Sequence, residues 1–153
     1  MQSNRKFIAR LKKKSIYKDL FKKNNISSYQ YTNPIDFFNK FWRIYESYAK
    51  TKSLNNSIPG NAFEIVIGFL LDYESIQITS MDETISGVFK VKPDFLVLNA
   101  KNDVIFISCK TSFRERWKQA DWECIQFKKK YPKAKSFVIC NHLRETNNLK
   151  KDL

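Results

Sequence analysis

The sequence predicts a single α/β or α+β domain: helices first, then a meander of short strands, then one more helix and a last strand. Three observations carry this. Apolar residues recur at helical spacing through the first 50 residues, and again over 61–73 and 114–130. Short runs rich in Val, Ile and Phe, bounded by turn residues, occupy 74–109 and 135–140. The 153 residues are 42% hydrophobic and 15% aromatic, with three Gly and four Pro, which supplies one core and argues against a disordered or fibrous chain.

The elements follow in order. Residues 1–30 are dense in Lys and Arg, with Phe7, Ile8, Leu11, Ile16, Leu20 and Phe21 interleaved at the spacing of one or two amphipathic helices. Two readings stand for that segment: an outer helix with a basic, DNA-facing side, or a solvated charged face. Asn33-Pro34 opens a second helix through Lys50, whose stripe of Phe37, Phe38, Phe41, Trp42, Tyr45 and Tyr48 reads as core rather than as a base-stacking platform. Residues 51–60 form a loop, and a third helix runs from Asn61, its expected N-cap, to Tyr73. Strands are expected at Glu74–Thr79, Val88–Val91, Asp94–Leu98 and Val104–Cys109, the last two joined by a polar turn at 99–103. A fourth helix spans Arg114 to Lys130 and stops at Tyr131-Pro132, and Lys135–Cys140 is the final strand. That makes a mixed sheet of about five strands flanked by helices. No internal repeat is visible.

Charge and cysteine usage narrow the function classes. A formal charge of +13 on a globular chain of this size favours nucleic acid, whose phosphates present a dense line of negative charge, over the plain alternative of a membrane-surface protein. The longest apolar run, Ile65 to Leu71, is too short to cross a membrane. The basic N-terminus lacks an apolar signal core, and three scattered cysteines at 109, 124 and 140 suit reduced thiols, so a cytoplasmic protein is expected. His142 is the only histidine, which excludes a His-rich zinc site.

Certain charged residues stand where charge is costly. Glu64 is the sole charge in an apolar helix, so its carboxylate must be paired or hold a metal; a structural salt bridge is the plain alternative. Asp94 follows a proline at a strand start, where an Asp often caps a turn. Ser108 and Lys110 lie two apart on the closing strand and so share a face, with Cys109 on the other. Lys110 alone would be a snorkelling lysine. Placed together, Asp94 and Lys110 suit metal-assisted phosphodiester cleavage: carboxylates hold Mg²⁺, and a lysine offsets charge developing on the phosphate. One carboxylate is too few, and the position two before the lysine, where many nucleases have a second acid, is Ser108. Glu123, thirteen residues after Lys110, is the candidate for the missing ligand, because a helix packed back over the strand brings it to that face.

Pro93-Asp94, the hairpin, Lys110 and the upstream helical Glu64 resemble the PD-(D/E)XK nuclease superfamily. Ser-x-Lys, twelve residues and Glu123 is a more specific likeness: it resembles type II restriction endonucleases of the EcoRII and NgoMIV groups, in which the second acidic ligand sits on the helix. Lys110 to Gln119 is also similar to the Lys-Thr-(Ser/Thr)-x-(Lys/Arg)-(Asp/Glu)-Arg-Trp-x-Gln stretch of EcoRII-like enzymes, and Asn61 to Glu64 to the helix bearing their upstream acid. The likeness covers residues 60–140 and leaves the basic helical part, 1–55, outside it. It implies a restriction-endonuclease-like core, Asp94 and Glu123 as Mg²⁺ ligands, Lys110 as the catalytic lysine and Glu64 as an accessory acid. Arg114, Glu115 and Arg116 fall where those enzymes read C·G pairs, as arginine does at guanine O6 and N7, with Lys118 beside them on the DNA. The implied activity is Mg²⁺-dependent, sequence-specific cleavage of double-stranded DNA leaving 5′-phosphate ends, with a homodimer or a twice-nicking monomer cutting both strands. A repair or junction-resolving nuclease, and an inactive nucleic-acid-binding domain of the same fold, are the alternatives.

Overall fold

The computed structural model describes the chain apart from residues 1–3, 55–56, 82, 86, 89–90, 100, 113–115 and 142–153, and leaves the side chains of Arg116 and Trp117 undescribed. The chain forms two compact units, 1–77 and 78–153.

The first unit is helical. Helix α1 (Arg5–Leu11) leads into a π-helical turn (Tyr17–Phe21) and a short 3₁₀ turn (Ile26–Ser28). Helix α2 spans Pro34–Thr51: Asn33 caps it by accepting from the Ile35 amide at 2.8 Å, and Pro34 fits the first turn, where no amide donor is needed. Helix α3 runs Ile58–Tyr73, three residues earlier at its start than expected. Pro59 lies within its first turn and so belongs to the helix rather than to a loop. Asn61 is therefore not the N-cap; its amide donates to the Ser57 carbonyl and its side chain is used elsewhere. The core is aromatic. Phe21, Phe37, Phe41 and Phe63 are sealed from solvent, Phe37 and Phe41 lie 4.8 Å apart, and Trp42 meets Phe63 edge-on at 5.6 Å. The stripe on α2 is thus core, as its spacing indicated. Ile8, Leu11, Ile16, Leu20 and Phe21 of the basic segment are buried as well.

Helix α3 ends in a Schellman turn. Ser75 adopts φ +57°, its amide reaches the Asp72 carbonyl, and the Ile76 amide reaches Leu71. This turn uses the residues expected to begin the first strand, so β1 starts later, at Gln77–Ser80.

The second unit carries an α+β arrangement: β2 (Phe95–Leu98), β3 (Val104–Lys110), α4 (Arg116–Lys130) and β4 (Lys135–Cys140). Among the described residues the sheet is mixed and four-stranded, in the order β1-β2-β3-β4, with β2 antiparallel and β4 parallel to β3. About five strands were expected. The surplus was Val88–Val91, of which the described residues, Val88 and Val91, are not in a strand: the Val88 amide donates to the Ile85 carbonyl and the Ile85 amide to the Val91 carbonyl, beside Gly87 at φ +72°. Val88 and Val91 fill a core instead of a ladder, packing with Ile85, Phe106, Phe127 and Ala134. Phe106 and Phe127, 5.2 Å apart, fix α4 against the face of β3 that also carries Ser108 and Lys110. Among the described residues no helix is long and apolar enough to cross a membrane.

Candidate active site

Register builds the site. Phe95 pairs with Ile107, so Asp94, one residue before β2, stands opposite Ser108 near the end of β3. Directly opposed residues of an antiparallel pair point to one face. Three donors converge on a single oxygen, Asp94 Oδ2. The Cys109 backbone amide donates at 2.5 Å, Ser108 Oγ at 3.3 Å and Lys110 Nζ at 3.5 Å. The Asp94 and Lys110 side chains are 15% and 14% exposed, so solvent screens their attraction only in part. Among the described residues, Oδ1 of Asp94 accepts no hydrogen bond, and it is the oxygen left to face a cation.

Glu123 comes from α4. It sits at the flank of the stripe formed by Ala120, Cys124 and Phe127 and is 5% exposed. Gln119, one turn earlier, donates Nε2 to Glu123 Oε1 at 2.9 Å. Burial pushes the Glu123 carboxyl up; the Gln119 hydrogen bond and the Lys110 charge pull it back, and Asp94 pushes it up further. Lys110 and Asp94 are thus near enough to act on Glu123, and Ser108 joins them through its hydrogen bond to Asp94. Asp94, Ser108, Lys110 and Glu123 are therefore brought together, all within the second unit.

The other expected residues divide. Glu64 lies on α3 in the first unit, where Lys14 Nζ contacts its Oε2 and also donates to Asn61 Oδ1 at 2.8 Å. That ion pair matches the structural of the two readings of Glu64. Arg114 and Glu115 lie outside the described residues, as does the side chain of Arg116, the first residue of α4. Lys118 is exposed on α4.

Three contributors escaped the sequence reading. Gln119 had a usable signal, its i, i+4 spacing to Glu123. The Cys109 amide had none, because main-chain donors leave no mark in a residue pattern. Lys14 is one cation within the run Lys12-Lys13-Lys14 and nothing local singles it out.

The donor set suits a hard cation. Among the described residues no three His, Cys, Asp or Glu side chains gather. Mg²⁺ commonly takes one or two carboxylates and keeps several waters. Asp94 and Glu123 meet that requirement. No family model matches this chain, and neither does any curated protein or solved structure.

Proposed function

We propose that the chain is a Mg²⁺-dependent DNA endonuclease of restriction type. One observation carries the reading: a carboxylate at the start of β2, tied by one oxygen to the lysine that closes β3, with a second, buried carboxylate supplied by α4. A bound Mg²⁺ would polarise the scissile phosphate and lower the pKa of a coordinated water. The chain's own residues do the rest. Asp94 offers Oδ1 while Ser108, the Cys109 amide and Lys110 fix its other oxygen, so its orientation is set before substrate arrives. Glu123, oriented by Gln119, completes the carboxylate pair. Lys110 sits beside the position where negative charge would grow on the phosphate and offsets it. Ser108 occupies the place of an acid but acts by its hydroxyl, as a donor to Asp94. Lys118 on α4 contacts the DNA backbone, and Arg114, Glu115 and Arg116 read bases.

The test is cleavage of a sequenced phage genome by purified protein with Mg²⁺, with the fragment ends mapped. Discrete ends at one sequence are expected. Asp94→Ala, Lys110→Ala and Glu123→Ala should each lower the rate by about 10²-fold or more, while duplex binding survives and Ser108→Ala costs far less. A smear would replace the restriction reading by a nuclease of low sequence preference. Wild-type protein that cuts no duplex with Mg²⁺ or Mn²⁺ would end the enzyme reading in favour of a nucleic-acid-binding domain.

A further inference from the structure

A second charged feature lies at the other end of the same sheet. Residues 128–135 read Lys-Lys-Lys-Tyr-Pro-Lys-Ala-Lys, five lysines in eight positions with no acid. Lys128, Lys129, Lys133 and Lys135 are all exposed. The last turn of α4 favours lysines through its carbonyl dipoles, which accounts for 128–130 in part. Lys133 and Lys135 lie beyond the helix, and the dipole does not account for them.

Register fixes where this cluster sits. Lys135 pairs with Ile105 and Cys140 with Lys110. Five residue steps at roughly 3.3 Å put the cluster about 17 Å along the sheet from Lys110. Helix α4, 15 residues and roughly 22 Å long, runs between the same two ends. Beside the cluster is an open recess of about 390 Å³, between the β2–β3 turn and the α4–β4 connection, lined by Asn102, Asp103, Lys130, Tyr131 and Lys133. The one carboxylate there, Asp103, is engaged by Asn99 Nδ2 at 2.9 Å. Lys129 is steadied by Gln126 at 3.3 Å. Exposed apolar side chains flank the cluster, Ile125 one turn before Lys129 on α4 and Phe137 two residues beyond Lys135 on β4, so a lipid surface is the competing partner that the experiment must separate.

We propose that Lys128, Lys129, Lys133 and Lys135 form a second phosphate-backbone site for duplex nucleic acid, at the sheet end opposite Asp94 and Lys110. The proposal builds on the nucleic-acid reading of the protein but does not need catalysis. Two anchoring points about 17 Å apart match roughly five base pairs of rise. The far cluster adds affinity without sequence, and it holds the duplex in line with the site.

The test is metal-free binding of a fluorescent duplex of 20 base pairs by full-length protein, titrated between about 50 and 200 mM salt. The variant carries Lys128→Gln, Lys129→Gln, Lys133→Gln and Lys135→Gln together, with circular dichroism to confirm its fold. The control carries Lys12→Gln, Lys13→Gln, Lys22→Gln and Lys23→Gln, which removes the same charge from exposed positions of the first unit. The expected result is at least a 10-fold weaker affinity in the variant and not in the control. The salt dependence of the variant should also flatten, by about 0.9 for each phosphate no longer neutralised. An unchanged slope overturns the proposal. So does an equal drop in both proteins, which would assign binding to net charge. Retained duplex binding with loss of binding to phosphatidylserine vesicles would assign the cluster to a lipid surface instead. Mg²⁺-dependent cleavage by the wild type, assayed separately, decides the nuclease reading, and the metal-free binding comparison holds or fails whatever that assay gives.

Discussion

Glu123 is where stability and activity pull apart. Its carboxyl is pushed up by burial, so the folded protein holds that proton more tightly than the unfolded chain does. Stability from the neutral form is complete at low pH and is lost as pH rises from the ordinary carboxylate range through the raised value. Metal binding needs the ionised form and runs the opposite way. The melting temperature of metal-free protein should therefore fall across that window, and fall less in Glu123→Gln. Mg²⁺ affinity by calorimetry should rise across it in wild type and be weak and flat in the variant. A second prediction concerns Glu64. If the pair with Lys14 is structural, Lys14→Met and Glu64→Gln should each cost about 1–3 kcal/mol in denaturant unfolding, with cleavage per folded molecule unchanged. Loss of cleavage at full stability in Glu64→Gln alone would instead mark an accessory acid. Asp94 and Lys110 stood out in the sequence because one opens and the other closes an apolar strand, and Glu123 by its spacing from Lys110 on the following helix. Lys14 did not, because a lysine among lysines breaks no pattern.

At the level of elements, local chemistry was readable where it was unambiguous. Strand β4 has the expected bounds, and α2 begins at the expected Asn-Pro and ends one residue beyond its expected last residue. Errors arose where two signals competed. Pro59 read as loop because proline usually interrupts helices, yet in a first turn it costs nothing. Val88–Val91 is rich in strand-forming residues, but Val88 and Val91 both bond to the Ile85 main chain beside the positive-φ Gly87. The Schellman turn at the end of α3 makes its own prediction. Ser75 holds a left-handed conformation that L residues disfavour by about 1–2 kcal/mol. Ser75→Gly should raise stability by about 1 kcal/mol in denaturant melts, since the side chain is exposed.

For the whole molecule, composition announced a packed, basic protein, and each of the two units buries its own group of apolar side chains. One is built on Phe37, Phe41 and Phe63, the other on Phe106 and Phe127. The division after Gln77 was not legible. No linker composition marks it, because the Schellman turn passes from helix to strand within three residues. The candidate residues Asp94 to Glu123 fall wholly on one side of that division, with Glu64 on the other. The charge of +13 said that a polyanion was the partner to consider but not where it would lie. Position came only from strand register, which put catalytic candidates at one end of the sheet and exposed lysines at the other.

That register has a further consequence. Ser108 and Lys110 face Asp94 only because β3 pairs with β2 as Phe95 with Ile107. A slip of one residue turns every side chain of the strand over. Cys109 would then stand on the face of Asp94, and the lysine would be carried away from it. On the nuclease reading, a chain that pairs its strands wrongly during folding has no means to cut. On that reading the sheet acts as a safety catch, since a hairpin paired one residue out of register would be disarmed.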